Sequence, residues 1–175
     1  MVTGESLGAD DSISLLRGPT PQVQLLASQA EEEDAIVGGL RDALASGMLP
    51  EEIVVVARTG ALLAHYGNLL LAEGIPTSKI DGKSQRGAGV QLATIHRVKG
   101  LEFRASFIVG CSADTLPQPY TGDDNDFIAR GEQVERERRL LYVAMTRARE
   151  LLWISGSGRL SPLLPARAAA RVAGD

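Results

Sequence analysis

Apolar residues along this chain come in short unbroken runs. Between the runs they recur every three or four positions. VQLLA, Val23 to Ala27, is the first run and predicts a strand. From Ala30 to Ser46 the apolar residues Ile36, Val37, Leu40 and Leu44 share one face, which predicts a helix that stops at Gly47. The acids Glu31 to Asp34 fall in its first turn, where they suit the positive end of the helix dipole, and read as a solvated helix start. IVVVA, Ile53 to Ala57, has no polar alternation. Such a strand is buried on both faces, as in a parallel sheet covered by helices. Thr59 is placed to cap a helix running to about Glu73, with Leu62, Leu63, Tyr66, Leu69 and Leu70 as its stripe. Gly74 and Pro76 end it. Further strands are predicted at Ser78 to Ile80, Val90 to Thr94, Ala105 to Val109 and Leu151 to Ile154. A long helix is predicted from about Glu132 to Arg147, its ionic half giving way to LLYVAM.

Strands alternating with helices imply a three-layer α/β domain with a mainly parallel sheet. Sites in such sheets lie at the carboxyl ends of the strands. The expected organisation is a Gly-, Asp-, Ser- and Pro-rich lead-in over 1–20, one domain over 21–160 and an Ala- and Arg-rich tail over 161–175. There is no internal repeat.

Composition narrows the picture. Aromatic residues make up only 4% of the 175, so the core must be built from Val, Ile, Leu and Ala. The single cysteine, Cys111, excludes an internal disulfide and sits in an apolar run, where it reads as a small buried residue. No Cys/His cluster offers a metal site. No segment has the length and apolarity of a membrane span or a signal core. The expected setting is cytoplasmic, with no membrane partner. A net charge of −4 argues against a surface that coats nucleic acid, but leaves room for a few phosphates held in a cleft.

Gly82-Lys83-Ser84 imitates the end of a phosphate-binding loop. The full pattern requires a glycine at position 77, which is Thr, and a helix afterwards, where QRGAG is a poor start. Lys83 therefore reads as a solvated turn residue. If this domain handles a nucleoside triphosphate, the loop that cradles the phosphates must come from elsewhere.

Two stretches carry candidate chemistry. VQLATIHRVKGLEF, Val90 to Phe103, reads as a buried strand whose carboxyl end delivers Thr94 and His96, followed by a polar turn with Lys99, Gly100 and Glu102. Gly100 would let backbone approach a ligand closely. Glu102 could accept hydrogen bonds from sugar hydroxyls, and His96 could donate to a phosphate. Equally, a single His beside a strand is commonly a satisfied structural residue. ERERRLLYVAMTRARELLWI, Glu135 to Ile154, places Arg139 beside Tyr142 on a helix and Arg147 near the helix end. There an Arg can reach into a cleft beyond the domain, or simply complement the dipole. Glu135 to Arg138 read as a salt-bridged, solvated face.

TIHRVKGLEF resembles the fifth conserved motif of the UvrD/Rep type of superfamily I DNA helicases, and ERRLLYVAMTRAR resembles the sixth. They occur in that family's order, separated by a strand and a loop reaching LPQP. EEIVVVARTGALLAHYGNLLLAEGIP resembles the strand and helix of an earlier motif. The likeness covers roughly residues 22 to 160.

The resemblance implies a RecA-like, P-loop-NTPase-type C-terminal domain that lacks its own phosphate loop. In that family two RecA-like domains clamp one ATP. The first carries the phosphate loop and the acid that holds Mg²⁺; the second supplies an arginine. By the match, Arg147 would be the arginine finger, Gly100 and Glu102 would contact the nucleotide, and Arg139 would support it. Arg58, Thr94 and His96 would meet single-stranded DNA. The partners implied are that DNA and an N-terminal RecA-like domain, and this chain alone would hydrolyse no ATP. One departure is Gly60, where the family usually has Asn. Another is the missing upstream motif with a further ATP-contacting Arg, expected before residue 20. A short loop between Ile80 and Val90, where large members insert a subdomain, resembles the family's compact branch. MTRAR followed by SGSGRLSPLL is also similar to HelD-like proteins, which act on RNA polymerase. An ATP-driven polymerase remodelling factor is therefore the second expectation, and a non-catalytic binding module the third.

Overall fold

The computed structural model describes residues 19–81, 87–123 and 125–164. The chain order is β1 (Gln22–Leu26), α1 (Gln29–Ala45), a 3-10 turn (Pro50–Glu52), β2 (Ile53–Ala57), α2 (Gly60–Ala72), β3 (Thr77–Lys79), β4 (Val90–Thr94), β5 (Phe103–Ile108), α3 (Phe127–Met145) and β6 (Ala148–Ser157). The strands form one sheet in the order β1-β6-β5-β2-β4-β3, and every pairing is parallel. The RecA-like α/β reading holds, with a sheet that is wholly rather than mainly parallel.

β2 lies inside the sheet and is fully buried, as its unbroken apolar run requires. Its residues divide by the two-residue pleat. Ile53, Val55 and Ala57 join Ile36, Leu40, Leu63, Tyr66 and Phe107 in a core roofed by α1 and α2. Val54 and Val56 join Ile95, Leu116, Leu141, Leu152 and Ile154 in a second core beneath α3. Two cores on opposite faces make three layers. Each fully buried Leu, Ile or Phe contributes about 1.5–3 kcal/mol relative to exposure, and this aliphatic stock compensates for few aromatics. Phe107 and Trp153 stack at 5.6 Å on the α1 side. Gly39 lets the helix come down on them, since a Cβ there would lie 3.1 Å from both rings.

Short polar side chains start all the helices. Ser28 accepts from the Glu31 N–H, Thr59 from the Leu62 N–H and Asp126 from the Ala129 N–H. Each satisfies a donor that the helix leaves open, for about 1 kcal/mol apiece. α3 begins earlier than the expected Glu132, because Asp126 caps it and Gly131 is accommodated within it. β6 is longer than expected, starting at Ala148.

Cys111 is buried, and burial pushes its thiol well above the ordinary range. After β6 the chain folds back: Ser161 N–H donates to the Cys111 carbonyl oxygen at 2.8 Å, and Leu163 and Leu164 pack into the core beneath α3. The Gly82-Lys83-Ser84 decoy lies outside the described residues, as do most of the lead-in and of the tail. No helix among the described residues is long and apolar enough to cross a membrane.

Candidate functional site

The residues singled out by sequence divide between opposite edges of the sheet. β2 and β4 run side by side, with Ala57 opposite Thr94. Their carboxyl ends therefore bring Arg58 next to Thr94 and His96. The Arg58 guanidinium meets the Glu137 carboxylate edge to edge, Nε to Oε2 at 2.6 Å and Nη2 to Oε1 at 2.5 Å. Both side chains are nearly buried, at 13% and 5% exposure. This pair fastens the end of β2 to the middle of α3. It lines a cleft of about 470 Å³ together with His96, Gln118, Gln133 and Arg136. His96 itself is exposed. A neighbouring cleft of about 420 Å³ shares Gln118, Pro119 and Gln133 and adds Tyr120, whose ring lies 5.6 Å from the Arg130 guanidinium. Gln133 Nε2 donates to the Gln118 carbonyl oxygen at 2.8 Å, tying the intervening loop to α3.

The connection from β4 to β5 crosses the sheet without a regular helix. Parallel strands oblige residues 95–102 to travel from the carboxyl edge to the amino edge. Ile95 and Val98 are buried beneath α3 on the way. Gly100 turns with a φ of +82°, a left-handed conformation that favours glycine. Gly100 and Glu102 therefore lie toward the amino edge. The expectation that the whole polar turn gathers with Thr94 and His96 at the carboxyl ends is corrected on this point.

At the amino edge β5 and β6 start together, with Phe103 opposite Ala148. Glu102 and Arg147 are the residues immediately before these strands, so the sheet register sets them side by side. Arg147 is half-buried. Its Nε donates to the Val143 carbonyl oxygen at 3.0 Å, its Nη2 to Thr146 Oγ1 at 3.0 Å and its Nη1 to the Leu101 carbonyl oxygen at 3.4 Å. All of these acceptors are neutral, so the positive charge is held in place without being cancelled. Arg139 and Tyr142 are both exposed on α3. Nearby, Arg104 bridges Glu150 and Glu52. The Leu49 backbone N–H and Arg104 hold the Glu52 carboxyl below its usual range, and Arg104 does the same for Glu150.

Sequence reasoning missed two buried carboxylates. Glu137 is not part of a solvated face; the exposed pair there is Glu135 with Arg138, at 3.3 Å. Glu32, read as part of a solvated helix start, is 1% exposed. It accepts from the Gly110 backbone N–H and from Ser155 Oγ, both at 2.8 Å. Spacing held the signal in both cases. Glu32 precedes Ile36 by four, and Glu137 precedes Leu141 by four, so each sits on its helix's buried stripe. Tyr66, beside Glu32, has its hydroxyl pushed up by burial first and by that carboxylate second. No cluster of three His, Cys, Asp or Glu able to hold a metal ion occurs among the described residues.

Comparison with known proteins adds a family. The profile of the UvrD-like helicase C-terminal domain matches residues 68–158, just over half of the chain. A putative ATP-dependent DNA helicase YjcD of Bacillus subtilis is 39% identical over 95 residues, covering 53% of this chain and 11% of that protein. The ATP-dependent DNA helicase UvrD2 of Mycobacterium tuberculosis is 47% identical over 77 residues, covering 42% of this chain and 10% of that protein. The chain thus spans about a tenth of the length of the curated relatives it matches. Among solved structures, the C-terminal domain of a possible DNA helicase from Lactobacillus plantarum superposes with a TM-score of 0.68 at 23% identity, covering 89% of this chain and 84% of that one.

Proposed function

Because the chain belongs to the UvrD-like helicase C-terminal domain family, we propose that it is the second of two ATP-clamping domains in a motor that moves on single-stranded DNA. The observation that carries this is the division of the candidate residues between the two sheet edges. Each edge suits one ligand, and residues 95–102 join them.

At the amino edge the ligand is ATP. Arg147 is the arginine finger: a fixed guanidinium whose acceptors are neutral oxygens can stabilise the charge that develops on a transferring phosphoryl group. Such a finger is worth about 10³ to 10⁵ in rate. Glu102 reaches the ribose, Gly100 gives the nucleotide close backbone, and Arg139 supports the same side from α3. The phosphate loop and the water-positioning groups belong to an N-terminal RecA-like domain. Mg²⁺ is held there too, since the described residues of this chain offer it no ligand cluster. At the carboxyl edge, Arg58, Thr94 and His96 grip the DNA backbone. The working unit is residues 21–160, with 161–175 as a tail.

The relatives' names describe ATP-dependent DNA helicases, which favours DNA over RNA polymerase as the object moved. The test is steady-state ATP hydrolysis by this chain alone and when joined to an N-terminal RecA-like partner, with and without single-stranded DNA. The expected result is no turnover alone and DNA-stimulated turnover in the joined form. Robust hydrolysis by the chain alone would overturn the shared-site reading.

A further inference from the structure

The Arg58–Glu137 pair does more than fasten α3 to the sheet. An arginine has five N–H donors in a planar fork. Glu137 takes the Nε–Nη2 edge, and Nη1 makes no hydrogen bond among the described residues. The guanidinium is therefore fixed in plane with one edge spoken for and another left to a ligand. Glu137 also sets the charge of the cleft. Arg58 and Arg136 bring two positive charges to its wall, and Glu137 brings one negative charge against Arg58. Nearly buried, the pair is screened far less by salt than a surface pair would be.

We propose that Glu137 is the positioning residue of the single-strand grip: it orients Arg58 for a directional contact to backbone phosphate and offsets its charge, leaving Arg136 as the uncompensated cation of the cleft. This rests on the reading of the carboxyl edge as the DNA side. Its physical sense is that a motor must release its strand at every step. A free arginine grips by counterion release, strongly and with steep salt dependence. An arginine already paired to a carboxylate grips by geometry, and small movements of α3 against β2 can break that contact.

The test uses the whole chain and a short oligothymidylate. Amide resonances of the ¹⁵N-labelled protein locate binding, and fluorescence anisotropy across a salt series gives the slope of log K against log salt. Glu137→Gln removes the offsetting charge, and the slope is expected to steepen by about 0.7, the value of one phosphate neutralised on a single strand. A residue with a merely structural role would weaken binding and leave the slope unchanged or shallower. Glu137→Asp keeps the charge but shortens the reach. It is expected to keep the slope and lose about tenfold in affinity, as for one charge-assisted hydrogen bond. It also serves if the Gln variant does not fold. Wild-type binding at Arg58 and His96 with no slope change in folded Glu137→Gln, or undiminished affinity in Glu137→Asp, would remove Glu137 from this role alone. No resonance shifts at Arg58 and His96 in the wild-type chain would remove the DNA reading and this inference with it.

Discussion

The backbone N–H of Phe103 donates to the carbonyl oxygen of Arg147 at 2.9 Å. This bond sets the register in which Glu102 and Arg147 stand together, because each precedes one of the two strands it joins. The pairing is fixed by main chain, so it survives side-chain substitution at either residue.

Arg147→Ala should therefore leave the fold in place while removing the charge. In the joined two-domain form, ATP binding is expected to stay within a few-fold while turnover falls by about 10³ or more. Single-turnover hydrolysis beside nucleotide-binding isotherms separates the two. Unchanged turnover would take Arg147 out of the finger role.

The Arg104 network predicts an acid limb to stability. Glu52 and Glu150 are both lowered from the ordinary carboxylate value of 4.5. A carboxyl lowered in the folded state stabilises fully above its unfolded value and loses that contribution as pH falls through the lowered one. Melting temperature should thus fall as pH drops below about 4.5, and Arg104→Ala should flatten that part of the curve. The groups are exposed, so the effect is small and should shrink in high salt. An acid limb identical in the Arg104→Ala chain would contradict the assignment.

Glu32 predicts a larger cost. Glu32→Ala strands the Gly110 N–H and the Ser155 hydroxyl in the core, at about 1–3 kcal/mol for each unsatisfied group. Urea unfolding followed by Trp153 fluorescence measures it, and Trp153 is the chain's one tryptophan. Gly110→Ala should destabilise at the same place, since φ is +67° and a Cβ would lie 2.5 Å from Leu62 Cδ2. A loss below about 0.5 kcal/mol in Glu32→Ala would mean that water replaces the carboxylate.

Cys111 should be inert in the folded chain. Its thiol is buried and pushed up, so little thiolate is present to attack a reagent. Alkylation by iodoacetamide at neutral pH is expected only at the rate of unfolding. Rapid labelling of the native protein would show that the segment opens locally.

Much of this architecture was legible because its signals are local. The run Ile53 to Ala57 announces a buried strand, and Thr59 and Gly74 bracket a helix. What escaped was longer in range. Glu32 and Glu137 look like surface acids until Ser155 and Arg58, distant in sequence, are brought against them. The start of β6 carries Arg149 and Glu150, both exposed, so no apolar pattern marks it. The separation of Gly100 and Glu102 from Thr94 followed from topology alone. A motif continuous in sequence spans two edges because the next strand is parallel, a fact that no spacing within the motif reveals. The roles of Arg147, Glu102, Arg139, Arg58, Thr94 and His96 still wait on the experiments above.

The short crossing from β4 to β5 has a mechanical consequence. A five-residue strand places the two edges roughly 17 Å apart at about 3.3 Å per residue. That exceeds the distance of about 8 Å over which exposed charges sense one another at physiological ionic strength. A phosphate at one edge is therefore nearly invisible, electrically, to a phosphate at the other. Whatever news passes between them must travel as displacement, and a taut linkage wedged under α3 by Ile95 and Val98 has little slack in which to lose it.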